Sequence, residues 1–229
     1  MQTTENTLAI ESAAEVEPLC PVFGQCGGCR YQDISYEQEL WKKQRMLEAL
    51  LNETLGVDPR IVSAVVPSPE PYHYRHRLDL TLKRTGKGML FGFQQDGKRK
   101  IIPVESCVIA QKVISSALPE LRRQAVARLP EDYRVANVVV KTGDDQRLYW
   151  GGIGQGSLRL APSDYLWTEI HGIRIHYSLD SFFQANLSIL PRVMEVIQSL
   201  IGFDSGTRFL DLYAGVGLFG IYVSKVFGA

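Results

Sequence analysis

The chain has 229 residues, 45% of them hydrophobic and 22% charged, with 25 Lys and Arg balancing 25 Asp and Glu. This composition excludes a mainly disordered, collagenous or coiled-coil protein and a uniformly basic nucleic-acid coat, and it supplies enough apolar material for a sizeable core. No apolar run approaches the roughly 18–20 residues that span a bilayer, so no membrane partner is expected.

Residues 1–19 contain Glu5, Glu11, Glu15 and Glu17 and neither Lys nor Arg. An export signal needs the reverse, a basic start followed by an apolar stretch. The segment reads as an acidic, disordered leader on a cytoplasmic protein. The four cysteines are then expected as metal ligands, catalysts or buried thiols rather than disulfides.

From residue 20 the sequence is Cys-Pro-Val-Phe-Gly-Gln-Cys-Gly-Gly-Cys-Arg-Tyr, and Gly24, Gly27 and Gly28 make it a tight loop. A helix is predicted next. Ser35 with Gln38 fits a capping box, Leu40, Leu47, Leu50 and Leu51 give an apolar stripe, and Gly56 suits the stop. Residues 61–66 read as a short strand, and Pro67-Ser68-Pro69 with Pro71 as a stiff linker.

The middle of the chain reads as mostly β. Strands are predicted over 77–82, 89–93, 100–104, 135–142, 147–149 and 173–177, with a hairpin turn at 84–88 and one helix at 114–128. Trp150-Gly151-Gly152-Ile153-Gly154-Gln155-Gly156 looks like a dinucleotide loop but leads into no helical pattern, so it is read as a flexible connector. After Asp180 the pattern changes to an amphipathic helix over 187–201, a short apolar strand over 209–213, a turn at Ala214-Gly215-Val216-Gly217 and a helix over 218–227. That is the opening βα unit of a nucleotide-binding α/β domain. One strand and one helix cannot make an open parallel sheet, so the sequence is expected to be part of a longer protein.

Cys20, Cys26 and Cys29 follow the spacing C-x5-C-x2-C, and Cys107 lies far along the chain. Four thiolates around one centre suit a [4Fe–4S] cluster or a tetrahedral zinc. Three neighbouring ligands with one distant ligand favour the cluster, since zinc sites more often use two C-x2-C pairs. Ordinary thiols are the plainer reading, but a glycine-rich loop offers little core to bury them.

Cys20-Pro-x-Phe-Gly-x-Cys26-Gly-Gly-Cys29, the helix start at residues 36–40 and Cys107 together resemble the iron–sulfur members of the RNA uracil-5-methyltransferase family. Those enzymes methylate C5 of uridine in 23S rRNA, and related enzymes without the cluster act on tRNA. Asp180-Ser181-Phe182-Phe183-Gln184-Ala185-Asn186 resembles the family's Phe-Phe-Gln-x-Asn segment, and Leu210-Asp211-Leu212-Tyr213-Ala214-Gly215-Val216-Gly217 its first S-adenosylmethionine (SAM) motif. The likeness runs from Cys20 to the last residue.

The resemblance implies an α+β architecture. After the leader come an iron–sulfur region over 20–66, with its fourth ligand at 107, and a β-rich RNA-binding domain over 67–180. Residues 181–229 begin a Rossmann-like SAM-dependent methyltransferase domain that is incomplete here. It implies ligation of the cluster by Cys20, Cys26, Cys29 and Cys107, and SAM contacts from Gln184, Asp211, Tyr213, Gly215 and Gly217. The family's nucleophilic Cys and general base lie in the second half of the methyltransferase domain. This chain is therefore expected to be inactive alone, as part of a monomeric enzyme acting on 23S rRNA in preference to tRNA. The nineteen residues before Cys20 are too few for the small N-terminal RNA-binding barrel that many members carry.

RNA contacts are expected from Arg75, Arg77, Lys83, Arg84 and Lys87, part of a cationic stretch over 73–100 interleaved with Tyr72, Tyr74, Phe91 and Phe93. A solvated hairpin is the plainer reading of that stretch. Phe182 and Phe183 are candidates to flank a flipped base, with plain core the equal reading for each, Asn186 is expected to cap the next helix, and His73 and His76 are read as surface or RNA-contacting. The implied chemistry is addition of a cysteine thiolate to uracil C6, methyl transfer from SAM to C5, and loss of the C5 proton to a base. A non-catalytic iron–sulfur RNA-binding module is the alternative from another class. A radical-SAM enzyme is disfavoured because the fourth Cys leaves no open iron.

Overall fold

A computed structural model describes residues 15–95, 97–98, 100–152, 164–202 and 208–228. The chain forms two compact units, Met1–Pro71 and Tyr72–Ala229. The first 14 residues of the expected leader, Arg99 and residues 153–156 of the expected connector lie outside the described residues. Val16, assigned to the leader, is held by the protein: its N–H donates to the Asp33 carbonyl at 3.0 Å.

In the first unit, the cysteine loop leads into α1 (Tyr36–Leu55). The predicted capping box is present: the Gln38 N–H donates to Ser35 Oγ at 3.2 Å, and the Ser35 N–H donates to Gln38 Oε1 at 3.3 Å. Gly56 ends the helix at φ 64°, a left-handed conformation that glycine adopts without a Cβ clash. The predicted apolar stripe is largely open, with Leu50 59% exposed. Residues 61–66 do not form the expected strand. Pro59–Ile61 is a single 3-10 turn, with Asp58 capping the Arg60 N–H at 2.9 Å. Beyond it the backbone bonds a helix side chain instead of a neighbouring strand, the Val65 N–H donating to Gln44 Oε1 at 2.9 Å.

The second unit is built on a five-stranded antiparallel sheet, spatial order β3-β2-β1-β4-β5. Its strands are β1 (Arg77–Thr85), β2 (Gly88–Gln94), β3 (Ile101–Pro103), β4 (Val135–Thr142) and β5 (Leu148–Gly151). The β1–β2 turn is tighter than predicted: Thr85 pairs with Gly88, and the Thr85 hydroxyl donates to the Gly88 carbonyl at 2.8 Å. Alternation puts Leu78, Leu80 and Leu82 of β1 on one face, directly opposite Val140, Val138 and Ala136 of β4. Helix α2 (Lys112–Arg128) adds buried Ile114, Leu118, Leu121 and Ala125, one face at helical spacing. Each fully buried aliphatic side chain contributes about 1.5–3 kcal/mol.

A hairpin of β6 (Leu166–Ile170) and β7 (Ile173–Tyr177) carries the second core. Strand β6 was not anticipated, although Leu166, Thr168 and Ile170 alternate inward as a half-buried strand does. Against the hairpin pack Phe183, Leu187, Met194 of α3 (Leu190–Leu200), and Leu218 and Tyr222 of α4 (Leu218–Phe227). Gly143 joins the hairpin to the sheet. A Cβ there would lie 2.4 Å from the Trp167 carbonyl oxygen, so only glycine admits the approach. The Asp144 N–H then donates to that same carbonyl at 3.0 Å, and Asp144 Oδ2 accepts the Glu169 N–H at 2.7 Å.

Three predicted details change after Asp180. Helix α3 starts at Leu190, where Pro191 fits the first turn, instead of at 187. Asn186 therefore caps no helix: its Oδ1 accepts from the Ser188 N–H at 3.0 Å and the Ser188 hydroxyl at 2.7 Å, closing a local turn. Phe209–Tyr213 forms no strand among the described residues, since strand hydrogen bonds come only from a neighbouring strand and none lies alongside; Leu210 and Leu212 are exposed. No helix of the described residues is long and apolar enough to cross a membrane.

Candidate functional site

The cysteine loop is shaped by its own backbone. The Phe23 N–H donates to the Cys20 carbonyl at 3.0 Å and the Cys26 N–H to the Val22 carbonyl at 3.0 Å. None of Cys20, Cys26, Cys29 and Cys107 is in a disulfide, and each is half-buried. Gln32 is 6% exposed. Its Oε1 accepts the Cys20 N–H at 3.1 Å, while its Nε2 is buried without a partner. Cys107, in the second unit, stands just ahead of α2, its N–H donating to Ser115 Oγ at 2.9 Å. Among the described residues no three His, Cys, Asp or Glu side chains gather into a metal-holding group. Within the first unit, the loop of Cys20, Cys26 and Cys29 offers thiols on a tightly turned backbone and a buried Gln32 amide donor, a donor set that suits a thiolate-bound centre in kind.

The segment resembling Phe-Phe-Gln-x-Asn is held at one corner of the sheet. Arg75 runs between two distant stretches: its N–H donates to the Ile109 carbonyl at 2.8 Å, its carbonyl accepts the Gln111 N–H at 2.9 Å, and it also bridges Asn186. The His76 N–H donates to the Ala185 carbonyl at 3.2 Å. The loop that carries Cys107 is thereby coupled, through one residue, to the segment that carries Gln184. Gln184 is half-buried.

Phe183 is a correction. It is 5% exposed and stacks on Tyr177 with ring centroids 4.3 Å apart, so it is core and cannot stack on an RNA base. Phe182 is 72% exposed. His76, read as a surface residue, is fully buried. Its Nδ1 lies 3.2 Å from the Thr142 carbonyl, its ring meets Tyr177 and Phe183 edge-on, and Nε2 has no partner. Burial disfavours the imidazolium and holds its pKa down at about 4.

Lys141, which sequence reasoning passed over, is also fully buried. Its Nζ donates to the carbonyls of Ser178 at 2.9 Å and Ser181 at 2.6 Å. Desolvation is the main cause that lowers its pKa to about 8, with Arg77, its directly paired neighbour on β1, adding repulsion. Lys141 stands as a polar side chain inside the apolar run of β4, whereas His76 precedes β1 between Arg75 and Arg77 and carries no such mark. The Lys141 signal went unread because alternation does not say which face a distant segment will cover.

The expected RNA-binding cations are dispersed. Arg77 is engaged by Asp79, Nε to Oδ2 at 2.8 Å and Nη2 to Oδ1 at 2.6 Å. Lys83 and Arg84 are consecutive on β1 and so point to opposite faces. Arg84 reaches the Pro130 carbonyl at 3.5 Å. Lys87 sits at the open hairpin tip. Arg75 has its Nε buried without a partner. Of the interleaved aromatics, Phe91 is core at 2% exposed. His73 places Nδ1 3.1 Å from the Ala110 carbonyl.

At the SAM-like turn, Asp211 Oδ2 accepts the Gly220 N–H at 3.0 Å. A carboxylate thus caps the first turn of α4 and orders the loop. Gly215 and Gly217 are left-handed, at φ 58° and 78°, and a Cβ on Gly217 would press on Ile221 at 3.3 Å. Tyr213 is also left-handed and fully exposed.

The relatives named here share one class. No family model matches this chain. Its sequence relatives include RNA uracil-C5-methyltransferases of two substrate groups. The tRNA (uracil(54)-C(5))-methyltransferase of Schizosaccharomyces pombe is 27% identical, over 91% of this chain and 41% of that protein. The corresponding Pyrococcus abyssi enzyme is 26% identical over 95% and 60%. The 23S rRNA (uracil(1939)-C(5))-methyltransferase RlmD of Vibrio parahaemolyticus is 24% identical over 93% and 55%. The chain spans about half the length of these curated relatives. The crystal structure of the Pyrococcus abyssi tRNA (uracil-54, C5)-methyltransferase in complex with S-adenosyl-L-homocysteine matches with a TM-score of 0.67 at 21% identity, covering 91% of this chain and 58% of that one. That likeness shows a shared fold.

Proposed function

We propose that this chain is the N-terminal part of a SAM-dependent RNA methyltransferase that forms 5-methyluridine. The observation that carries the reading is similarity to uracil-C5-methyltransferases over more than nine-tenths of the chain, 91% of it aligned to the Schizosaccharomyces pombe enzyme. SAM, when bound, supplies an electrophilic methyl group on a sulfonium sulfur. Gly215 and Gly217 would let the turn approach it, Asp211 keeps that turn in shape, and Tyr213 and Gln184 would present polar groups to cofactor or uracil. The thiolate that adds to C6 and the base that removes the C5 proton are assigned to the remainder of the protein. The four cysteines here are assigned to a [4Fe–4S] cluster with a structural or RNA-shaping role.

The preferred substrate is 23S rRNA, because the cysteine loop resembles the family's iron–sulfur rRNA enzymes. The tRNA reading is kept because the relative with 27% identity is a tRNA enzyme. The full-length protein, incubated with SAM and either RNA, should yield 5-methyluridine at one position by mass spectrometry; none in either RNA sinks the proposal. The present chain alone should incorporate no methyl group. Anaerobically purified protein should carry iron and sulfide and absorb in the visible, and Cys20→Ser or Cys107→Ser should remove that absorbance. Colourless protein holding zinc would replace the cluster assignment.

A further inference from the structure

The turn that precedes Gln184 buries Leu179 and is hydrogen-bonded to the sheet by the side chain of Lys141. Ser178 and Ser181 tie the turn locally, Ser181 Oγ accepting the Ser178 N–H at 3.3 Å and lying 2.8 Å from Ser178 Oγ. Those bonds fix the turn's shape but attach it to nothing else. The attachment is Lys141, whose ammonium reaches the carbonyls of both Ser178 and Ser181 from the end of β4. On the other side of Gln184 the attachment is backbone: His76 holds Ala185, and Arg75 bridges Asn186. Between them Phe183 is stacked on Tyr177. Gln184 is therefore carried on a short span anchored at both ends to one corner of the sheet, where the Thr142 N–H donates to the His76 carbonyl at 3.1 Å.

A lysine is a costly choice for that anchor. It is wholly buried and paired in register with Arg77, with Asp79 and Asp180 as the nearby anions that offset the repulsion. An apolar residue would fill the space without that cost, but it could not donate to two carbonyls.

We infer that Lys141 is a positioning residue for Gln184, its buried ammonium anchoring residues 178–181 so that the following span presents the amide in one place. The inference rests on reading Gln184 as a cofactor- or uracil-facing group.

Two variants and a measurement on the unaltered protein test it. Lys141→Met keeps the volume and loses the donors; Lys141→Arg keeps donors. In Lys141→Met, amides of residues 179–184 should exchange with deuterium at least ~10-fold faster while those of β6 and β7 stay unchanged. In the full-length enzyme the same change should lower kcat at least ~10-fold with the RNA KM within about threefold, and Lys141→Arg should recover most of both effects. Unchanged exchange at 179–184, or unchanged kcat in an enzyme that methylates, overturns the inference. If Lys141→Met does not fold, the wild-type Nζ protons decide: slow exchange with water supports the anchor, and rapid exchange refutes it. Exchange is read without SAM or RNA, so failure of the methyltransferase reading would show separately, as wild-type protein that forms no 5-methyluridine.

Discussion

The buried pair at the sheet corner ties protonation to stability. His76 is neutral in the folded protein, with its pKa lowered from 6.5 to about 4, whereas the unfolded chain takes up the proton near the ordinary value. Its contribution is therefore complete above about pH 6.5 and is lost as pH falls toward 4, in total about 3 kcal/mol for a shift of this size. Urea unfolding at pH 7 and pH 4.5 should show that loss, and His76→Gln should shrink the difference between the two conditions; an equal loss in the variant refutes the assignment. Neither His76 nor Lys141 was legible in the sequence as a buried group. Their burial depends on Tyr177, Phe183 and the 178–181 turn, all far along the chain, and nothing local marks that encounter.

At the scale of elements, what was legible is what neighbours in sequence decide. The Ser35–Gln38 capping box, the Gly56 stop, the β1–β2 hairpin and the apolar face of α2 all arise within one or two turns or strands. The failures needed a distant partner: residues 61–66 and 209–213 are apolar enough for strands, yet no described strand pairs with them. Gly143 is a sharper case, since its need for glycine arises from the Trp167 carbonyl. Gly143→Ala should cost about 1–3 kcal/mol by forcing the hairpin off the sheet. Gly86→Ala, where a Cβ would meet nothing within 4 Å, should change stability by less than about 0.5 kcal/mol. Thermal melts of the two variants compare them directly. Asp211→Ala removes the α4 cap and should cost about 1 kcal/mol, and calorimetry with S-adenosyl-L-homocysteine should show weaker binding if the turn is the cofactor site.

Over the whole molecule, the candidate site was legible as a set of motifs and illegible as an arrangement. The glycine turn and the cysteine loop announce themselves by spacing, and Asp211 caps α4 through the Gly220 N–H. The cationic stretch is legible as charge but not as a surface, because alternation sends consecutive cations to opposite faces and Asp79 engages Arg77. His76 is bonded to Ala185, and Lys141 to Ser178 and Ser181, so an early strand is completed only by residues synthesised much later. On a translating ribosome the sheet corner must wait, with an unburied ammonium and a bare imidazole, until Ala185 clears the exit tunnel. A pause before that point would lengthen the interval in which the nascent chain shows an open apolar seam to chaperones.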